Sequence, residues 1–560
     1  MSLTAATSKL REGLKALTPG EKRILGVYFA LALLALTAGA VGAMLLGLQA
    51  AGFVKLPPLT VFKALTVHAS SAFFYWLYFV QAGVTLALIL AYTPGARLQP
   101  PWSSLVWGGL GLMGIGWVVT VLSAMGGAAV LYSAPQPLTQ QFKGGTAFLL
   151  GYILTDLGQV LVGIAAIATA ILPKLRGQVR EWSAITFAAA LWNGLLVVAS
   201  FIALIAYVPA LQMMLGMTPF IKNFNYEMSW GVMFHNTHYL PLMSTVLVWY
   251  VLAEATTGVK SIYGERFSKF IFSLYLVLVP VTSPYHMFLE PEVPASTKLI
   301  GSILSAFIGV PTLAVGLIIA SSLQAAAQGQ GARGLFGWLR YLPWRNPAFS
   351  AIGLAPVSAL AGGAVSYVLI QERFAPLVSD TFAVPGYFHF FTVGMVSLTF
   401  LGALVYMIPA LTGRPLWLPS LTTALPYVLA VAVYVFGFAG VWAGYAGVPR
   451  RTLDVSFGGD APALWVTLMS VVGTAGLVMV LVLLAYVAVL AVSALLNVRA
   501  GLRVEAFPVA NLRPEDAAGQ PAWFAPVTAG TLLVVMYAVT WVAFRLMQSL
   551  PLVTIGGGGH

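Results

Sequence analysis

The 560-residue chain contains no cysteine, and only 8% of its residues are charged, against 59% that are hydrophobic. The missing cysteine excludes disulfides, thiolate metal sites and the thioether attachment of c-type heme. Any bound metal must therefore be held by nitrogen or oxygen. The scarcity of charge, together with apolar runs longer than the roughly 18 residues that mark a spanning helix, excludes a soluble globular domain. The sequence also lacks the alternating segments of about ten residues that build a membrane barrel. The fold class is all-α, a polytopic membrane protein. Histidine is scarce too, with six in the chain, so each one carries weight.

The pattern predicts about thirteen spans, near 24–49, 61–92, 102–126, 145–172, 182–210, 229–253, 267–289, 297–326, 348–371, 385–410, 421–447, 465–496 and 524–549. Residues 1–23 are polar and basic and run straight into a full-length span, which reads as a retained first helix and not a cleaved signal. The formal charge of +12 could indicate nucleic acid, but in a bilayer protein the location of basic residues matters more than their total. With the N-terminus placed in the cytoplasm, the connections on that side hold more than twice as many Lys and Arg as the outer ones. This asymmetry supports the span order and a lipid bilayer partner, and nucleic acid is not expected. The layout is a cytoplasmic segment at 1–23, one transmembrane domain at 24–549 and a tail at 550–560. The tail's Gly556–His560 run resembles an appended linker, so His560 is set aside.

On this topology the other five histidines, His68, His235, His238, His286 and His389, fall in one layer in the outer third of the membrane. A polar residue in a span is costly and suggests function. In Val384-Pro385-Gly386-Tyr387-Phe388-His389-Phe390, a proline and a glycine open a helix that bears Tyr387 and His389. Positions i and i+2 point about 200° apart, so the two serve opposite flanks. His68 and His389 match in depth on separate helices, and two neutral imidazoles make a six-coordinate, low-spin heme site suited to electron transfer. Arg450 and Arg451, in an outer loop at the same level, suit heme propionates because guanidinium pairs bidentately with carboxylate. Their alternative is snorkelling to lipid headgroups.

His235, His238 and Tyr239 share a helix face at i, i+3 and i+4, and Tyr285-His286 reaches the same height. Three imidazoles suit copper, or iron next, with the Tyr239 phenol as proton or electron donor; the alternative is a polar interhelical cluster. Below this layer Tyr250, Thr245, Thr312 and Asp156 are candidates for an inner proton path, although hydroxyls in membrane helices often just bond backbone carbonyls.

With these residues assembled, the chain resembles subunit I of the heme-copper oxidase superfamily, particularly the B-type, ba-class cytochrome c oxidases of thermophilic bacteria. The resemblance covers nearly the whole chain. It rests on Thr66-Val67-His68, the His-x-x-x-Tyr of His235 and Tyr239, Gly331-Ala332-Arg333-Gly334-Leu335-Phe336-Gly337-Trp338, Leu342-Pro343-Trp344-Arg345-Asn346-Pro347-Ala348-Phe349, Val384-Pro385-Gly386 and Val448-Pro449-Arg450-Arg451. It implies a low-spin heme b at His68 and His389, a second, high-spin heme, and a copper ion at His235 and His286, with His238 as a substitute ligand. It further implies reduction of O2 to water in a bacterial inner membrane. The electron donor would be a cytochrome c or a copper-bearing subunit II, and a small membrane subunit would fit beside them. The chain departs from the family pattern at Tyr285 and Tyr387, which stand where ligand histidines of the copper and the high-spin heme are expected. A tyrosinate can ligate heme iron, but as an anionic donor it favours the ferric state. The readings left open are an unusually ligated oxidase, a nitric oxide reductase, and a paralogue that keeps heme b for electron transfer without the dinuclear centre. No glutamate lies near His235 to favour the reductase. A transporter accounts for the spans but not for the histidine layer.

Overall fold

The computed structural model describes residues 8–127, 144–224, 226–282, 294–369, 380–452, 454–496, 501–510 and 512–520, with a few isolated positions besides. Eleven helical runs among the described residues are long and apolar enough to cross a membrane. The part of the expected seventh span that is described, Gly264–Val281, is helical but carries charge at its start. Tyr285, His286 and most of the expected thirteenth span lie outside the described residues.

A seven-residue helix, α1 (Lys9–Lys15), packs against the second, tenth and sixth spans and buries Leu10 and Leu14. The first span, α2 (Pro19–Ala50), begins five residues before the hydropathy pattern places it, because its start is set by capping. Glu21 N–H donates to Thr18 Oγ1 at 3.2 Å, while the Glu21 carboxylate accepts from Thr18 N–H at 2.8 Å. These two bonds satisfy backbone donors that every helix start leaves open. The other Glu21 oxygen accepts from Leu98 N–H at 2.9 Å, which ties the start of α2 to the chain beyond the second span.

The second span is continuous from Pro58 to Tyr92 but changes character within it: α3 (Pro58–His68), a π-helical segment at Ala69–Tyr75, then α4 (Trp76–Tyr92). There follow α5 (Trp102–Met125), α6 (Gly145–Leu175), α7 (Ala184–Met214), α8 (Tyr226–Thr257), α9 (Gly264–Val281), α10 (Ala295–Gly329) and α11 (Pro347–Leu369). The tenth span repeats the arrangement of the second, with α12 (Ala383–His389), a π segment at Phe390–Ser397 and α13 (Leu398–Thr412). Two further spans, α14 (Pro419–Tyr445) and α15 (Ala463–Leu495), complete the described bundle, and α15 packs back on α2.

Three spans form the centre. The most apolar stretches of the second, tenth and sixth spans are 94%, 83% and 78% buried, whereas the others lie between 33% and 61%. These three carry His68, His389 and the pair His235 and His238.

Candidate heme site and its surroundings

His68 is the last residue of α3, and His389 the last of α12. A π segment, which adds a residue to the ordinary turn and is frequent at functional sites, begins immediately after each of them. Nothing in the sequence marked this feature.

The His68 and His389 rings face each other, with centroids 6.5 Å apart and planes inclined by 16°. That is too far for ring-on-ring contact. A metal bound at about 2.0 Å by one nitrogen of each ring, each nitrogen about 1.2 Å from its centroid, calls for a spacing of about 6.4 Å. The other nitrogen of each ring is engaged behind it: His68 Nδ1–H donates to Gly39 O at 2.9 Å and His389 Nδ1–H to Pro385 O at 2.7 Å. Such outer bonds fix the tautomer and leave the Nε2 lone pair for a metal. Both rings are only half-buried, although they belong to the central helices. The residues present therefore fit an iron that His68 and His389 would hold between them.

The sequence builds this geometry through close helix approach. A Cβ on Gly42 of α2 would fall 2.7 Å from Ala64 O and 2.9 Å from His68 N, so glycine lets the two backbones come near enough for Gly39 O to reach the imidazole. In α12, Pro385 falls in the first turn, where a missing N–H costs nothing. The chain entering α12 is held by the outer loop: Phe382 N–H donates to Val448 O at 2.7 Å and Arg450 N–H to Asp380 O at 2.8 Å. This sets Val448-Pro449-Arg450-Arg451 beside the entry to the His389 helix. The Arg450 guanidinium pairs with Asp380 at 2.8 Å, while its buried Nε has no protein partner. Arg451 has a φ of 84°, a conformation that costs a non-glycine residue energy and that recurs at functional sites.

The remaining candidate residues divide into several groups. His235 is fully buried; its Nε2–H donates to Val279 O at 2.8 Å, with Thr282 Oγ1 at 2.6 Å from the same nitrogen. The bond turns His235 toward α9, the helix that leads to Tyr285 and His286. The Tyr239 ring lies 4.6 Å from it, as i, i+4 spacing requires. His238 takes a different direction. Its ring stacks on Phe73 at 4.0 Å, meets Phe74 and Phe234, and its Nδ1–H donates to Phe234 O. Its buried Nε2 has no hydrogen-bond partner. Among the described residues no three potential ligands converge on one metal. His235 and His238 alone do not make a copper site. Tyr387 packs against a small apolar cluster of Val365, Ala383 and Val441.

Of the inner polar residues, Thr245 donates to Pro241 O of its own helix at 2.8 Å. Tyr250 pairs with Ser268 at 3.1 Å, and Thr312 with Tyr275 at 2.7 Å. Ser268 and Tyr275 are seven apart on α9, and that spacing could have singled them out. Asp156 is buried on α6, accepts from Gln159 Nε2 at 3.2 Å, and has no partner at Oδ2. Its neighbour Thr155 donates to the Tyr75 hydroxyl at 3.2 Å, which also meets Thr120 at 2.7 Å. Tyr75 and Thr120 were not evident from the sequence, because 45 residues separate them.

The profile of the family described as "Cytochrome C and Quinol oxidase polypeptide I" matches residues 23–478. The chain belongs to this family. It is a multi-pass membrane protein with the subunit I fold of the heme-copper oxidases, and the family implies heme and copper cofactors. Cytochrome c oxidase subunit 1 of Thermus thermophilus is 29% identical over 407 residues, 70% of this chain and 68% of the relative. Cytochrome c oxidase polypeptide 1 of Halobacterium salinarum is 27% identical over 218 residues, 36% and 33% of the two chains. A cryo-EM structure of a heme-copper terminal oxidase dimer matches in fold with a TM-score of 0.78 at 21% identity, covering 94% of this chain and 92% of that one. The expectations of an all-α fold and of the heme-copper oxidase family are borne out.

Proposed function

We propose that this oxidase-type subunit I holds a low-spin heme b between His68 and His389, as the electron-entry site of a respiratory complex in a bacterial inner membrane with its N-terminus in the cytoplasm. The observation that carries this reading is the facing ring pair, with a backbone carbonyl behind each ring. When bound, the heme supplies one-electron chemistry without an open iron position. Gly39 and Pro385 carbonyls keep both imidazoles in one tautomer. Arg450 and Arg451 anchor the propionates, Arg450 being pre-positioned by Asp380. Electrons come from a cytochrome c or a copper-bearing subunit II at the outer face. A second heme and a copper, if bound, would supply the reduction of O2 to water; His235 and His286 would be among their ligands and the Tyr239 phenol a proton or electron donor. Tyr250, Thr312, Ser268 and Tyr275 line the inner approach.

A second reading keeps heme b for electron transfer without a dinuclear centre. The enclosure of His238 by Phe73, Phe74 and Phe234, and the apolar neighbours of Tyr387, favour it. Pyridine hemochrome analysis with metal quantification separates the two. Two hemes and one copper per chain are expected for the oxidase, whose reduced form should also give a high-spin carbon monoxide difference spectrum. One heme and no copper select the electron carrier. No heme refutes both.

A further inference from the structure

The two central spans are joined one step below the histidines. Trp76, the first residue after the π segment of the second span, donates from Nε1 to Ser397 Oγ at 3.0 Å, and Ser397 is the last residue of the π segment of the tenth span. Both residues are buried. Trp76 follows His68 by eight residues, and Ser397 follows His389 by eight. The wide turns close at Trp76 and one residue past Ser397: Trp76 N–H donates to Ser71 O and Leu398 N–H to Val393 O, each five residues back. Ser397 in turn donates to Thr392 O, also five back, at 2.7 Å. One indole N–H thus links the ends of two irregular segments that begin immediately after the facing imidazoles.

A π turn is wider and less regular than an α turn, so the phase of each segment, and with it the direction of its histidine, is not fixed by the backbone ladder alone. A buried donor and acceptor that pair only in one register supply the missing constraint, because slippage leaves the buried indole N–H unsatisfied. We propose that Trp76 and Ser397 are positioning residues for the His68 and His389 pair, a clamp that sets the spacing and mutual tilt of the two rings and so tunes the iron between them. The proposal rests on the heme reading given above.

A comparison bond is built into the same helix. Trp249 Nε1–H donates to Thr399 Oγ1 at 2.7 Å, tying α13 to α8. Thr399 is two residues past Ser397 and points about 200° away, on the flank opposite the second span. This bond has the same chemistry but does not link the two π segments.

The test uses the purified, heme-loaded protein and reads the g-anisotropy of the ferric low-spin signal, which follows the angle between the axial rings, together with the midpoint potential. Ser397→Ala and Trp76→Phe should each retain one low-spin heme, shift both readouts in the same way, and lower heme retention by about 10-fold, the smaller loss seen for outer-shell ligand partners. The double variant should match either single one, since both remove one interaction. Ser397→Thr, which keeps the hydroxyl, should restore the wild-type signature, and Thr399→Ala should leave it unmoved. Wild-type g-anisotropy and potential in Trp76→Phe would overturn the clamp while leaving the heme assignment intact, even where Ser397→Ala fails to accumulate. An equal shift in Thr399→Ala would overturn it too, by showing a general packing effect. Absence of heme from the wild-type protein would overturn the clamp and the heme assignment together.

Discussion

His389→Ala is expected to remove the low-spin heme, with hemochrome content falling by one equivalent per chain and the low-spin absorption band disappearing. The variant takes away one of two imidazoles whose ring centroids lie 6.5 Å apart. It also leaves Pro385 O without the Nδ1–H that now donates to it. Loss of an outer-shell partner alone costs about 10–100-fold in metal affinity, and loss of the ligand costs more. His68 would remain, held by Gly39 O, but one axial nitrogen cannot produce a six-coordinate, low-spin iron. His68→Ala should behave alike, and the double variant no worse than either, because the pair acts as a unit. A His389→Ala protein with unchanged low-spin absorption would refute the assignment, and His235→Ala with unchanged low-spin absorption supports it.

The fold was legible because hydropathy in a membrane chain is a coarse, long-range signal. Spans of 20 to 35 residues survive boundary errors of several positions, as with α2, whose true start at Pro19 depends on a capping box and not on hydropathy. The facing histidines were legible for a related reason, since topology alone assigns depth, and equal depth on two inward-running helices suffices to nominate a pair. Neighbours around a helix are another matter. Periodicity shows that His235 and His238 share a side, but not that Val279 O engages one while Phe73 stacks on the other. Likewise Thr245 and Thr312 look equivalent in sequence, yet one bonds its own helix and the other bonds Tyr275. The π segments were invisible. A shift from four-residue to five-residue hydrogen bonding needs no distinctive residue at the site, and the Trp76 to Ser397 bond spans 321 positions.

The same geometry connects the histidine groups in a way that sequence spacing could not. Phe73, five residues after His68, stacks on His238 at 4.0 Å and meets Phe388 edge-on at 5.0 Å. Phe388 is covalently adjacent to both Tyr387 and His389. A series of ring contacts therefore runs from Phe388, the residue before His389, through Phe73 to His238 on the helix that bears His235 and Tyr239. Its continuity does not depend on how the second centre is ligated, so it is compatible with the oxidase and with the electron carrier.

A large loss of stability is expected from one added methyl group, in Gly386→Ala. A Cβ at Gly386 would lie 2.5 Å from Val441 N, 2.7 Å from Gly440 C and 3.0 Å from Gly437 O. All three are backbone atoms of α14, so no side chain can turn aside, and α12 must move as a body. Small residues at such crossings are what let membrane helices approach closely, and overpacking one costs about 1–3 kcal/mol. His389 is three residues further along the same short helix and would be carried out of register with His68. The variant should therefore lose thermal stability in detergent and heme retention together. Gly363→Ala is the matched control: this glycine lies inside α11, and an added Cβ meets nothing within 4 Å. There the ordinary helix preference for alanine over glycine, about 0.5–1 kcal/mol, should prevail. The two identical substitutions thus have opposite expected signs, read as a fall in Tm at position 386 and a rise at position 363. Equal effects at both positions would show that the α12 to α14 approach is not what holds His389 in place.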